Sequence, residues 1–160
     1  MNIRNVTEYD IPKWKKLSHE YDEYVLELVS DLTEWYDGNG SEGSLSFDSY
    51  MDSKIKRKEA FIAVDNNDNC LGIIAFSYRR NYITFLGVSE NMDVKNIGDK
   101  LLSHAFTLME NHKPIFINES DSKSDRIRQH IELLKENNFV QNGKTLENGV
   151  PVNIFVKSPN

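Results

Sequence analysis

Cysteine is nearly absent from this chain of 160 residues, in which Cys70 is the only one. A single cysteine excludes an internal disulfide and a zinc site built from several thiolates. We expect Cys70 to lie in a strand or turn rather than to act as a nucleophile. The chain also lacks any apolar run near the ~18 to 20 residues that cross a membrane. Its first residues, MNIRNVTEYD, contain no signal-peptide core, and we therefore expect a cytoplasmic protein with no membrane partner.

Positive charge is also scarce, because 19 Lys and Arg face 25 Asp and Glu and the formal net charge is -6. Nonspecific binding to nucleic acid depends on clustered Lys and Arg, so we expect no nucleic-acid partner. The sequence contains no Walker loop, nucleophile elbow or kinase signature. Its histidines lack ligand spacing, which predicts no metal site, and we expect His104 and His130 to face solvent on helices.

The N-terminal part of the chain has mainly helical periodicity. Residues 3–6 are typical of a short strand, and Asp10 then supplies a helix cap. Apolar residues recur every three or four positions from there to Trp35, which predicts a long or broken helix ending at residues 37–40. Residues 47–55 predict a second, shorter helix.

From Ala60 onward the periodicity becomes that of strands. The segments FIAV, CLGIIAFSY and YITFLGV are separated by short polar turns, which predicts an antiparallel meander. The pattern then predicts a helix over 97–109, the strand IFIN after Pro114, a helix over 127–137, and strands over 139–140 and 152–156. No internal repeat or linker interrupts this order. Length and pattern together predict one domain over residues 1–160.

This order of elements resembles that of the GNAT superfamily of N-acetyltransferases over nearly the whole chain. The segment FLGV followed by SENMDVKNIGDKLL resembles the family's central acetyl-CoA motif, and IELLKENNF resembles its last helix and the glycine-phenylalanine pair that follows. The resemblance implies an α/β (α+β) GNAT fold, a mixed, mostly antiparallel sheet of about six to seven strands flanked by about four helices. It also implies acetyl-CoA as the acetyl donor.

A cradle for the coenzyme is expected between the strand that ends at Val88 and the helix that begins near Ile97. Such a turn aims free backbone N–H groups and the positive end of the helix dipole at one point, where a pyrophosphate fits. The resemblance implies that the coenzyme is bound by Val88, Lys95, Asn96, Ile97, Gly98, Asp99 and Lys100. Asp93 stands where the family has Arg or Gln, and Asn96 replaces its first glycine, as an asparagine with left-handed backbone can.

Acetyl transfer to an amine needs a base, a donor to the thioester carbonyl and a proton for the leaving sulfur. The backbone N–H of Val88 matches the family's carbonyl donor. Where the family commonly has an acidic base on the fourth strand, this chain has Tyr82, which can hold or relay a proton at an unperturbed pKa of about 10. Glu119, at the expected open end of the fifth strand, is a second candidate, and Glu90 is a third. Leu134 replaces the tyrosine that often protonates the thiolate, so that proton must come from elsewhere.

An acidic and aromatic segment predicts the nature of the acceptor. Residues 20–52 contain ten Asp and Glu and no Lys or Arg. Tyr21, Tyr24 and Trp35 are interleaved with these acids, and carboxylates with aromatic faces attract an ammonium group. We therefore expect these three residues to contact a primary amine, such as a polyamine. The same pattern also fits a helix with a solvated acidic face and a buried aromatic face, and that alternative stays open.

Three functions fit these patterns. The first is an N-acetyltransferase that acts on a primary amine by direct attack in a ternary complex. The second is a catalytically weak member that binds acyl-CoA as a sensor or interaction module, which Asp93, Asn96 and Leu134 favour. The third is acetylation of a protein or peptide amine. Many members of the family form dimers, so a homodimer is a further expectation.

Overall fold

The computed structural model describes residues 1–26, 47–147 and 149–159, with the backbone alone at residues 25 and 26. The helices in these ranges are α1 (Ile11–His19), α2 (Asp22–Leu26), α3 (Phe47–Arg57), α4 (Val94–Phe106) and α5 (Asp125–Glu136). The strands are β1 (Asn2–Asn5), β2 (Ala60–Val64), β3 (Cys70–Ser77), β4 (Tyr82–Val88), β5 (Ile115–Ser120), β6 (Phe139–Glu147) and β7 (Val150–Lys157). No helix within the described ranges has both the length and the apolar character needed to cross a membrane.

The strands form one mixed sheet in the order β1-β2-β3-β4-β5-β7-β6. β4 and β5 are parallel, and all other neighbouring strands are antiparallel. The predicted meander is present as β2, β3 and β4, and its two turns contain Asp68 and Asn81 with left-handed backbone at φ 62° and 50°. The predicted fold class is confirmed, with seven strands and five helices among the described residues.

Both faces of the sheet are covered by helices, as the alternation of side chains along β3 illustrates. Ile73 packs with Trp14 of α1 and Met51 of α3 on one face. Its neighbour Ile74 packs with Leu101 of α4 on the other face, where α5 also lies. Successive side chains of a strand point to opposite faces, so a strand between two helical layers must be apolar at every position. This explains the unbroken apolar run in CLGIIAF.

The first predicted helix is broken near its middle. α1 ends at His19 and α2 begins at Asp22, so Glu20 and Tyr21 lie in a turn between them. The rest of that prediction, with Trp35 and the helix end at residues 37–40, lies outside the described residues.

The helix of the predicted coenzyme cradle begins earlier than the sequence pattern indicated. α4 starts at Val94 rather than near Ile97, because the Asp93 carboxylate caps its first turn. Asn96 therefore lies inside the helix, and the prediction of left-handed backbone there is wrong. Left-handed backbone occurs instead at Asn91 and at Asn138, with φ 66° and 68°. Asn138 occupies the place of the family's glycine before the phenylalanine.

Candidate active site

β4 and β5 pair along only part of their length. Their parallel register joins Tyr82 to Phe116 and Ile83 to Ile117, whereas β4 continues to Val88 and β5 continues to Ser120. Beyond Ile83 the edge of β4 that faces β5 therefore has no strand partner among the described residues. The two strands bound a gap that we call the β4–β5 cleft.

The backbone of Val88 faces this cleft, and the side chain of Tyr21 meets it there. The Val88 N–H donates a hydrogen bond to Tyr21 Oη at 2.8 Å, and the same Oη lies 3.1 Å from the Val88 carbonyl oxygen. Tyr21 reaches this position from the turn between α1 and α2. The N–H that the sequence predicted as a carbonyl donor is thus at the cleft, and a phenol hydroxyl currently accepts its hydrogen bond.

The hydroxyl of Tyr21 also contacts the buried side chain of His130. Its Nε2 lies 2.8 Å from Tyr21 Oη, and the side chain is only 1% exposed. The prediction that His130 faces solvent is therefore wrong. Its helix, α5, buries Ile127 and Leu134, which lie three positions before and four positions after it. This spacing places His130 on the buried face of the helix.

Glu119 lies on the other side of the His130 ring. Its Oε2 is 3.3 Å from His130 Nδ1, and its side chain is 11% exposed. This contact does not have the alignment of a hydrogen bond, because Nδ1 has no hydrogen-bond partner in the part of the chain that the structure describes. Glu119, His130 and Tyr21 therefore form a line of three proton-carrying groups that ends at the Val88 backbone.

The two predicted substrate-binding tyrosines of the described ranges lie together at this cleft. The rings of Tyr21 and Tyr24 meet edge to face at 5.7 Å, and the Arg126 guanidinium carbon lies 4.9 Å from the centroid of the Tyr21 ring. Burial raises the pKa of Tyr21, and the positive charge of Arg126 counters part of that rise. Burial, together with Glu23, raises the pKa of Tyr24 to about 12. Both phenols are protonated at neutral pH, so Tyr21 can donate a proton there.

Backbone N–H groups at the predicted phosphate turn already have acidic partners. Asp93 Oδ1 accepts hydrogen bonds from the N–H groups of Lys95 and Asn96, at 3.0 Å and 3.2 Å. The N–H of Glu90 donates to Glu20 Oε2 at 3.1 Å. A pyrophosphate that used these N–H groups would have to displace two carboxylates. The electrostatics of this turn oppose an anion, and coenzyme binding there stays a prediction.

The other side chains predicted to bind coenzyme point in different directions. The Lys95 ammonium lies 3.2 Å and 3.0 Å from two glutamate carboxylates of α5. Asp99 Oδ1 accepts a hydrogen bond from Asn137 at 3.0 Å. Lys100 is exposed, and Ile97 is buried in the core beneath α4. The structure does not bring these side chains together at one point.

Gly98 lies where α4 meets α5. A Cβ atom at this position would overlap Cδ2 of Leu133, which is fully buried. The glycine therefore permits the two helices to pack closely, in addition to its predicted place near the coenzyme.

Tyr82 lies at the paired end of the strands rather than at the open end. Its ring stacks on Phe116 with centroids 6.4 Å apart, and the Arg80 guanidinium carbon lies 5.3 Å from its centroid. Six residues, or about 20 Å of extended strand, separate it from Val88. Burial raises its pKa to about 12, so it is protonated at neutral pH. Its role in catalysis stays a prediction, as does that of Glu90, whose side chain is exposed.

The remaining histidine and cysteine predictions concern residues outside the cleft. His104 is partly buried rather than facing solvent, because its ring meets Phe61 edge to face at 4.5 Å. Cys70 lies in β3, and burial raises its thiol pKa to about 11, which keeps it protonated at neutral pH. Among the described residues no cluster of His, Cys, Asp and Glu is arranged to hold a metal ion.

Comparison with known proteins finds similarity at the level of structure. No protein-family model matches the chain, and neither does any curated protein. An acetyltransferase of the GNAT family from Bacillus cereus ATCC 10987 has 15% identity and a TM-score of 0.62, with 99% of this chain and 97% of that chain covered. An N-acetyltransferase from Staphylococcus aureus Mu50 has 14% identity and a TM-score of 0.65, with 98% and 100% covered.

A third similar structure contains ligands. It is a spermidine N-acetyltransferase from Vibrio cholerae in complex with CoA and spermine, with 15% identity, a TM-score of 0.56, and 97% of this chain and 92% of that chain covered. Identities this low compare folds rather than activities. Together with the cleft between β4 and β5, the comparisons confirm what the sequence patterns predicted: the chain has the fold of the GNAT acetyltransferases.

Proposed function

We propose that this protein transfers an acetyl group from acetyl-CoA to a primary amine, by direct attack in a ternary complex. The observation that carries the proposal is the Val88 backbone at the β4–β5 cleft, with an N–H that can serve a thioester carbonyl. The acidic composition of residues 20–52 suits a cationic acceptor. The Vibrio cholerae enzyme with the same fold holds CoA and spermine, which is consistent with a donor and acceptor of these classes.

The donor would lie along the free edge of β4. In that position its thioester carbonyl accepts the Val88 N–H, which stabilises the oxyanion that develops as the amine attacks. The Tyr21 hydroxyl holds this N–H in the structure, so it must turn away when the donor binds. His130 Nε2, 2.8 Å from the hydroxyl, remains as its partner.

The proton steps can be assigned to the line of groups behind Val88. The amine nitrogen forms a bond to the thioester carbon, the carbon–sulfur bond breaks, and the sulfur takes the Tyr21 proton. The amine gives up its proton to the carboxylate of Glu119, and transfer through His130 restores the phenol, so the protons balance. Leu134 is buried and apolar, which is why another residue must supply the proton. Tyr82 stays a candidate for relaying a proton from the closed end of β4.

A second candidate function is favoured by the carboxylates at the phosphate turn. Asp93 and Glu20 occupy backbone N–H groups that a pyrophosphate would use. A protein that binds acyl-CoA weakly and does not turn it over, as a sensor or interaction module, would tolerate this arrangement. In this second candidate function, no amine is acetylated.

Calorimetric titration and a turnover assay separate these functions. Acetyl-CoA and desulfo-CoA are titrated into the protein, and release of free thiol is then followed across a panel of diamines, amino acids and short peptides. Binding with thiol release that depends on an amine supports the transferase, and the panel shows whether the amine is small or peptidic. Binding without turnover of any amine supports the second candidate. No binding at millimolar coenzyme contradicts both.

A further inference from the structure

The Arg126 guanidinium contacts the Tyr21 ring beside the cleft, but one edge of it has no hydrogen-bond partner among the described residues. Its Nε and Nη2 atoms are buried, and neither has a hydrogen-bond partner within residues 1–26, 47–147 and 149–159. Two carboxylates of the same region have other partners. Asp125 contacts Arg128 at 2.6 Å, and Glu119 contacts His130 at 3.3 Å.

Arg126 is placed within reach of the reacting centre. It lies in the first turn of α5 and covers one face of the Tyr21 ring, 4.9 Å from the centroid. The hydroxyl of that ring contacts Val88 at 2.8 Å. A group bound by the guanidinium would therefore be separated from the Val88 N–H by the Tyr21 side chain, which contacts both. This is the reach of a small bifunctional molecule.

The free edge of the guanidinium has a definite chemical complement. Nε and Nη2 direct two parallel N–H bonds outward from one edge of the planar guanidinium. This fork matches the two oxygens of a carboxylate. Buried guanidinium N–H groups without partners are unfavourable. A ligand, an ion or an ordered water can supply the missing acceptors, and a planar, bidentate anion satisfies both atoms together.

We propose that Arg126 binds a carboxylate carried by one of the two substrates, through its Nε and Nη2 edge. The inference rests on the proposed transferase function and narrows it. The carboxylate belongs either to an acceptor that also bears the reacting amine, as in an amino acid, or to a dicarboxylic acyl chain on the donor. In the first case the acidic segment attracts the amine while Arg126 fixes the opposite end of the molecule.

Matched substrate pairs test the two sources of the carboxylate. The acceptor arm compares lysine with cadaverine and ornithine with putrescine, using acetyl-CoA. The donor arm compares succinyl-CoA with acetyl-CoA, using one diamine. We expect the protein to prefer the carboxylate-bearing member in one arm, and Arg126→Gln to lower kcat/KM for that member by about 10- to 100-fold. The rate for the partner lacking the carboxylate should stay within about threefold.

Two further variants separate charge, geometry and fold. Arg126→Lys keeps the charge but loses the bidentate fork, so it should recover only part of the preference. Arg128→Gln is the matched control, because it removes an exposed arginine two positions along the same helix; it should leave both arms unchanged. The melting temperature of Arg126→Gln should stay within about 3 °C of that of the starting protein, because loss of the contact with the Tyr21 ring is offset by removal of two buried N–H groups that lack partners among the described residues. The proposal is overturned if Arg126→Gln lowers kcat/KM equally for both members of every substrate pair. It is also overturned if the variant has a lower melting temperature but the same preference for the carboxylate-bearing member.

A binding measurement keeps this inference separate from the proposed function. If no amine is acetylated, the transferase proposal fails. Calorimetric binding of N-acetyllysine, N-acetylcadaverine and succinate to the protein and to Arg126→Gln then decides the role of Arg126. Carboxylate-dependent binding that the variant loses supports it, and equal binding by the two proteins, or binding by neither, overturns it.

Discussion

The hydroxyl of Tyr21 accepts a hydrogen bond from the Val88 N–H at 2.8 Å. In the proposed reaction, this N–H would instead donate to the acyl donor. The tyrosine comes from the turn between α1 and α2, whereas Val88 ends β4. A side chain of the protein itself therefore accepts the hydrogen bond at the cleft when no acyl donor is bound. The same hydroxyl lies 2.8 Å from His130 Nε2, so it can exchange one partner for the other without losing all of its hydrogen bonds.

Replacement of Tyr21 by Phe should change donor binding and turnover in opposite directions. Loss of the hydroxyl frees the Val88 N–H, so the Kd for acetyl-CoA should fall by about fivefold, as expected for one net hydrogen bond. Loss of the proton donor should lower kcat by about 100-fold. Calorimetry and thiol release measure the two effects. Tyr9→Phe, at an exposed side chain, is the control, and a parallel loss of affinity and kcat in Tyr21→Phe would contradict the assignment.

Replacement of Asp93 by Asn should strengthen coenzyme binding. Asparagine caps a helix as well as aspartate does, so α4 should keep its start while a negative charge leaves the phosphate turn. We expect CoA affinity to rise by about two- to fivefold in dilute buffer. The gain should shrink in 1 M salt, where charges are screened.

Titrating CoA into both proteins at two salt concentrations measures this effect. Asp99→Asn makes the same charge change farther along α4 and should have a smaller effect. An unchanged affinity in Asp93→Asn at low salt would show that the pyrophosphate does not approach this turn.

Replacement of Gly98 by Ala should destabilise the protein through the α4–α5 contact. The added methyl group would overlap Leu133, and overpacking of this kind costs about 1 to 3 kcal/mol in the free energy of unfolding. Urea denaturation measures the loss. In combination with Leu133→Ala the two costs should be less than additive, because the smaller side chain makes room. Ser103→Ala, on the exposed face of α4, is the control; full additivity of Gly98→Ala and Leu133→Ala would argue against the contact.

Replacement of Asp10 by Asn should remove a contribution to stability that depends on pH. The Asp10 carboxylate is buried and accepts from Arg4 Nη1 and Nη2 at 2.7 Å and 2.9 Å. Burial alone would raise its pKa, but hydrogen bonds from Arg4 and from the Thr7 N–H lower it below the usual value. Loss of these charged hydrogen bonds should lower the free energy of unfolding by about 2 to 3 kcal/mol at pH 7.

The sign of the pH dependence follows from the lowered pKa. The stabilisation by Asp10 is fully present above the unfolded pKa of about 3.9 and is lost as the pH falls through the lower folded value. The difference between the protein and Asp10→Asn should therefore vanish in strong acid. Asp48→Asn, which breaks an exposed ion pair with Lys15, should cost under about 1 kcal/mol. A difference that persists unchanged at low pH would contradict this account.

Local periodicity predicted most of the elements of this fold. The short apolar segments FIAV, CLGIIAFSY and YITFLGV, with polar turns between, were sufficient to place β2, β3 and β4. The capping signal for α4 was also present in the sequence, since Asp93 is a preferred cap residue. The predicted start near Ile97 followed the first apolar steps instead and was wrong by one turn.

The meeting of Tyr21, His130 and Glu119 could not be predicted, because it depends on how distant elements pack. Tyr21 and His130 are 109 positions apart in sequence. The spacing of His130 from Ile127 did indicate the buried face of α5, but periodicity does not say which side chain meets it there. That one edge of Arg126 has no hydrogen-bond partner within the described ranges likewise depends on its surroundings in space.

The sheet can also be regarded as two antiparallel plates joined at a short seam. One plate contains β1 to β4, the other contains β5, β7 and β6, and the seam consists of the pairs Tyr82–Phe116 and Ile83–Ile117. Val88 lies about 20 Å along β4 from this seam. A small rotation of one plate relative to the other about the seam would therefore produce a larger displacement at Val88. Because the stacked rings of Tyr82 and Phe116 lie at this seam, substitutions at the closed end of the cleft should change the separation of the strands near Val88.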